Sequence, residues 1–238
     1  MNCSLSEICD YVREKIDVSS LDKNSYISTE NMIPNKGGVK EAASLPDMRT
    51  TQAYKAGDVL VSNIRPYFRK IWKASKCGGC SNDILVLRAK PDIDSDYLFY
   101  VVSNNDFFDY ATATSKGTKM PRGDKKKIME YNICLFPLSV QRNIVSILKP
   151  IDDKIELNNA INKNLEQQAR ALFESWFVDY ESFEGKVLEG WRSAKLGEII
   201  SITCGKRPNK KSLQKNSNFN DVGVKTIISK VLPLLLSA

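Results

Sequence analysis

The chain has 238 residues, 42% of them apolar and 9% aromatic, sufficient for a real core in one large domain or two smaller ones. A complete lack of histidine excludes Ser-His-Asp and Cys-His nucleophile systems and any His-containing metal site within these residues. The formal charge of +7 puts nucleic acid at the head of the partner list, since clustered Lys and Arg gain affinity by releasing counterions from phosphates.

The opening MNCSLSEICD lacks the pattern of a secretory leader, and no apolar run approaches the ~18 residues of a membrane span, so the expectation is a soluble, cytoplasmic protein. Residues 1–137 read as a mixed α+β domain. Tyr26–Met32 is short and irregular, and Asn35–Gly38 is a turn signal. Lys55-Ala-Gly-Asp58 is a second turn, opening a strand at Val59–Val61, and Ile84–Leu87 is another strand-like run. Asp96–Val102 reads as a helix capped by Asp94, Ser95 or Asp96, and Phe107–Tyr110 starts another. Six cysteines are scattered through the chain. Cys77 and Cys80 have the spacing of half a zinc knuckle, but no second pair supplies the other ligands, and reduced structural thiols are the better reading.

Two basic clusters interrupt this domain. Arg65-Pro-Tyr-Phe-Arg-Lys-Ile-Trp-Lys73 interleaves cations with aromatics. Strand alternation would send Tyr67, Arg69 and Ile71 to one face and Phe68, Lys70 and Trp72 to the other. The plain alternative is a half-buried strand with snorkelling cations. Ser115–Lys127 carries six cations and one acid, and its glycines and proline argue for an exposed loop. Lys119 or Arg122 could reach base edges, with the other cations on phosphates; a merely solvated charged loop is the competing reading.

From Pro137 or Ser139 a helix begins that carries Ile144, Ile147 and Leu148 on one face. Pro150 is expected to end it, because its ring clashes with the preceding turn and it has no N–H to donate, so a second helix should start there. That helix holds Ile151, Ile155, Asn158, Asn162, Leu165, Ala169, Leu172 and Trp176 at alternating steps of four and three, a seam made to lie along another helix. The two Asn sacrifice stability for register. Asp152-Asp153-Lys154, with Asp92, could be read as a metal-dependent nuclease centre. Acids in a first helical turn, however, simply complement the macrodipole.

After Gly185 the chain echoes its own start, Leu196-Gly-Glu-Ile199 against Leu5-Ser-Glu-Ile8, and Cys204–Ala238 is too short for a second domain like the first. The apolar end at Val231–Ala238 has no turn or cap logic and suggests truncation or a frame change. No GxxxxGK[ST] loop, GxGxxG turn or Asn-Pro-Pro-aromatic motif occurs, so nucleotide hydrolysis and methyl transfer find no residues here.

Gly57-Asp-Val-Leu60, Ile64–Trp72, Gly78–Asp83, Gly117–Arg122 and, most strongly, Pro137-Leu-x-x-Gln141 running into Ile144, Leu148, Asp152, Lys154, Ile155, Asn158, Ile161, Leu165 and Glu166 stand in a specific order. Together they resemble the DNA-specificity subunit of type I restriction-modification systems. The resemblance implies a target-recognition domain over 1–137, a helical spacer over 138–182 and the start of a second recognition domain over 183–238. It implies a non-catalytic subunit that binds double-stranded DNA and directs methyltransferase and restriction subunits to a bipartite site. S-adenosylmethionine, Mg²⁺ and ATP would belong to those partners. The first choices for DNA contact are Lys116, Lys119, Arg122, Lys125, Lys126 and Lys127, then Arg65, Arg69, Lys70 and Lys73. Where the family has a second long helix this chain has none, and an antiparallel homodimer would rebuild the pair; the rival is a structural adaptor or inactive remnant that keeps only the helix.

Overall fold

Val59-Leu-Val-Ser62 and Ile84–Ala89 carry no alternation of apolar and polar residues, and the architecture shows why. In the computed structural model, which describes residues 2–181, 186, 190, 192 and 194–200, both runs are central strands of a sheet buried on its two faces. In chain order the strands are β1 (Asn2–Ser4), β2 (Cys9–Tyr11), β3 (Lys15–Asp17), β4 (Tyr26–Ile27), β5 (Thr50–Tyr54), β6 (Val59–Ser62), β7 (Ile71–Lys73), β8 (Gly78–Cys80), β9 (Ile84–Ala89) and β10 (Asn132–Cys134). One sheet has the order β2-β9-β6-β7, all antiparallel, with Leu60 opposite Val86 and Trp72. A second has the order β3-β5-β8-β4, its last pair parallel, and β1 pairs with β10 alone.

The helices are α1 (Leu5–Ile8), α2 (Ser95–Ser103), α3 (Asn105–Ala113), α4 (Lys125–Met129), α5 (Leu138–Phe177) and α6 (Leu196–Ile199). Val59, Val61, Leu85 and Leu87 point from the first sheet to Leu98, Val102, Phe107 and Phe108 of α2 and α3. Leu60, Ile84 and Val86 point the other way, to Tyr54, Cys80, Ile27 and Met32 on the side of the second sheet. Period-two side-chain alternation thus divides one apolar run between two cores. Burial pushes the Cys80 thiol up to about 12, the state of an inert packed cysteine, while Cys77 is exposed. Among the described residues no cluster of His, Cys, Asp and Glu could hold a metal, and no helix is long and apolar enough to cross a membrane.

Asp94 caps α2 by accepting from the backbone N–H groups of Asp96 and Tyr97, at 2.9 and 3.2 Å. The same corner anchors α5. Gln141, only 1% exposed, accepts from the Asp94 N–H through Oε1 at 2.9 Å and donates from Nε2 to the Phe136 carbonyl at 2.8 Å. Lys149 reaches Asp96 at 3.4 Å, and Asp96 also pairs with Lys73. Although burial works the other way, these two lysines hold the Asp96 carboxyl below its ordinary range. The Gln141→Ala variant leaves a buried N–H and a buried C=O unpaired. It should lose about 1–3 kcal/mol of stability in urea unfolding, whereas Asn143→Ala, at an exposed neighbouring position, stays within about 0.5 kcal/mol of the parent.

Three expectations fail locally. α5 passes unbroken through Pro150, which lies on an exposed stretch of the helix, where water can serve the Ser146 carbonyl that the missing N–H leaves over. Asp152 and Asp153 therefore lie in mid-helix, and their role is not that of first-turn acids. Tyr100 has its hydroxyl pKa raised by burial and then by a hydrogen bond with Asp152. The second failure is the alternation over Arg65–Trp72: Pro66–Phe68 wind a short 3₁₀ turn, and only Ile71–Lys73 is strand. The third is that Lys125–Lys127 leave the expected loop for the first turn of α4.

The chain divides into two units, Met1–Gln168 and Ala169–Ala238. In the second, Phe173 and Phe177 stack at 5.2 Å along the end of α5, and Arg192 pairs with Glu198 of α6 at 3.7 Å. The echoed tetrapeptides Leu5–Ile8 and Leu196–Ile199 both form a single helical turn. The apolar end at Val231–Ala238 lies outside the described residues.

Candidate nucleic-acid interface

Two segments some fifty residues apart in sequence, both rich in cations, meet just beyond the end of β6. The Arg65 N–H donates to the Pro121 carbonyl at 2.8 Å, and Gly123 N–H donates to the Asn63 carbonyl at 3.1 Å. Arg122 closes an ion pair with Asp83 at 3.1 Å, and Asp83 in turn accepts the Asn63 N–H through its carbonyl at 2.8 Å. A Cβ on Gly123 would lie 2.8 Å from both Asn63 Oδ1 and Ile128 Cδ1, so a larger residue here would have to displace the ends of those two side chains.

The second segment is a closed loop. Lys116 and Arg122 exchange N–H to C=O bonds of 2.9 Å in both directions, and Gly117, at φ +93, turns the chain between them. Lys119 and Met120 stand at its exposed tip. Asp124 then caps α4, accepting from the Lys126 and Lys127 N–H groups at 3.0 and 3.4 Å. The Lys116 ammonium, 2.7 Å away, and those two N–H groups hold its carboxyl below the usual carboxylate range. Tyr11 and Tyr110 hydroxyls donate to the Lys125 and Lys127 carbonyls at 3.0 and 3.1 Å, fixing the short helix from two sides.

The predicted contact residues fall into three groups. Lys119, Lys125 and Lys126 are exposed and have no acid partner among the described residues. Lys116, Arg122 and Lys127 pair with Asp124, Asp83 and Glu130, surface contacts screened by solvent, which a phosphate can displace. Glu130 raises the Lys127 pKa. On the first segment, Arg65 extends Nη2 to the Lys119 carbonyl at 3.5 Å, and Arg69 meets Asp109 at 3.4 Å. Lys70 donates to the Thr29 carbonyl at 2.5 Å, and burial lowers its pKa. Lys73 stands apart, in its ion pair with Asp96.

Asn35 and Lys36 join this surface without having been expected there. Their N–H groups donate to the Phe68 and Arg69 carbonyls, each at 2.9 Å. Their turn was visible in the sequence, but its docking partner lies in another loop. The helix seam is the other unpaired surface: its apolar members are exposed, from 49% at Trp176 to 58% at Leu172, and Ile147, at 68%, extends it before Pro150.

Comparison with known proteins places these features. The family model described as "Type I restriction modification DNA specificity domain" matches residues 1–167. The HindI specificity subunit of Haemophilus influenzae is 29% identical over 217 residues, covering 86% of this chain and 47% of that protein. The MjaVIII specificity subunit of Methanocaldococcus jannaschii is 32% identical over 161 residues, covering 64% and 36%. The chain thus spans about half or less of the length of these curated relatives. The HsdS subunit of Thermoanaerobacter tengcongensis shares the fold at a TM-score of 0.51 and 20% identity, covering 74% of this chain and 47% of that one. The S subunit from M. genitalium does so at 0.51 and 16%, covering 76% and 47%.

Proposed function

Since the chain belongs to the type I restriction-modification DNA specificity family, we propose that it is a non-catalytic, sequence-specific DNA-binding subunit working in the cytoplasm. Residues 1–137 read duplex DNA, 138–182 form the spacer, and 183–238 open a second recognition domain. What supports the reading most is the convergence of two cationic segments, among them Lys119, Lys125 and Lys126, which lack acid partners among the described residues. Of the contact residues, Lys119, Lys125 and Lys126 lead. Lys116, Arg122 and Lys127 follow by exchanging acids for phosphates, with Arg65, Arg69, Lys70 and Lys73 behind them.

The reaction belongs to methyltransferase and restriction subunits that the chain brings to a bipartite site, and S-adenosylmethionine, Mg²⁺ and ATP are bound by them. The exposed seam of α5 meets a second copy of the chain, antiparallel, so that two recognition domains face a symmetric, interrupted site. From Ile151 to Trp176 the seam runs ~39 Å at ~1.5 Å per residue. That is close to the ~34 Å between half-sites one DNA turn apart.

Mixing the chain with a methyltransferase subunit from the same source should make methylation of defined DNA appear, with none from either component alone. Methylation that is indifferent to the presence of the chain would end this reading.

A further inference from the structure

Tyr67 and Phe68 are 48% and 38% exposed, with ring centroids 4.8 Å apart, on the 3₁₀ turn within the first cationic segment. The backbone around them is strained. Arg65 and Arg69, on either side, sit in the left-handed region at φ 50 and 51, and Asn35 and Lys36, which hydrogen-bond to the turn, sit there at φ 55 and 62. Left-handed backbone is disfavoured for L-residues other than Gly and Asn, and it persists where the surroundings over-determine it. Nearby in sequence, Arg65 Nε and Asn63 Oδ1 are buried with no hydrogen-bond partner among the described residues. Pro66 is buried, so the turn is anchored, yet the fold leaves its two rings in solvent.

The turn packs against α3, yet about half of Tyr67 and over a third of Phe68 stay open to solvent. Their neighbours identify what they meet. Arg65 and Arg69 flank them in sequence, the Lys119 carbonyl accepts from Arg65 Nη2, and Phe68 lies 5.9 Å from the Lys70 ammonium, so a surface that is anionic and also presents apolar groups suits them. Duplex DNA combines phosphates with base edges and thymine methyl groups in its major groove.

Resting on the DNA-binding reading above, we propose that Tyr67 and Phe68 are specificity-determining residues that contact bases, while the surrounding cations contact phosphates. Apolar contact of an aromatic ring with a thymine methyl group is sequence-sensitive in a way that charge on a phosphate is not, and it releases no counterions. The two kinds of contact therefore separate in a salt titration.

The test uses the full chain and a duplex selected by it from a randomised pool, with Tyr67→Ala and Phe68→Ala as variants. Each should bind about tenfold more weakly at every salt concentration, with the slope of log K against log salt unchanged, and sites reselected by the variants should lose preference at one or more positions. Because both rings are exposed, melting temperatures should match the parent; if an Ala variant melts lower, Tyr67→Leu and Phe68→Leu carry the same two readouts. Unchanged affinity and unchanged selected sites overturn the proposal, as does a loss that comes with a shallower slope. Failure of the parent chain to select any duplex overturns the DNA-binding reading itself, a different result.

Discussion

Replacing Lys119, Lys125 and Lys126 together by Gln should weaken binding to duplex DNA roughly a hundredfold near 0.15 M salt and reduce the salt slope by about three. Each lysine on a phosphate contributes about 0.9 to that slope, and extrapolated from molar salt three of them amount to about two powers of ten. These three are chosen because none has an acid to neutralise it among the described residues, so their removal exposes no new negative charge. Substituting Lys116, Arg122 or Lys127 would also unmask Asp124, Asp83 or Glu130, and the loss would mix contact with repulsion. The weakening should be alike for all sequences. A triple variant with an unchanged slope, measured by fluorescence anisotropy across a salt series, would show that the phosphates lie elsewhere.

The reason this surface was only half legible in the sequence is geometric. Both basic clusters could be seen as runs, but their union rests on the main-chain bonds Arg65 to Pro121 and Gly123 to Asn63, which leave no local trace in composition. Tyr67 and Phe68 have the propensity of strand residues, and the local pattern read them as strand. Tertiary contacts from Asn35 and Lys36 instead hold them in a turn. In the same way Gly78-Gly-Cys80 has poor strand propensity and is a strand only because β5 and β4 flank it. Where the physics is local, the reading succeeded. The Val59 and Ile84 runs announced strands, and Asp94 stood among the caps expected for α2. The motif ending at Gln141 proves to be a side chain whose amide is used at both ends. Pro150 went the other way: a local penalty of ~3 kcal/mol is tolerated where the helix is exposed and the freed carbonyl can reach water.

Ile155→Gln with Leu165→Gln should abolish self-association of the chain while leaving α5 helical. Both side chains are more than half exposed in the single chain, and Gln is a good helix former, so the helix itself loses little. In an antiparallel pair the exposed half of each side chain would be buried, at ~0.8–1.5 kcal/mol apiece. Twofold symmetry counts every substitution twice. The pair of substitutions thus removes roughly 3–6 kcal/mol of association free energy, weakening a micromolar dimer at least a hundredfold. Asn158→Leu with Asn162→Leu should act in the opposite sense, tightening the assembly while loosening its register, since the buried amides exclude the slipped alignments that an all-apolar seam permits. Sedimentation velocity at micromolar concentration reads all three proteins. A parent chain that sediments as a monomer without partners would remove the self-pairing. In that case loss of methyltransferase binding by the Gln variant would reassign the seam to that subunit.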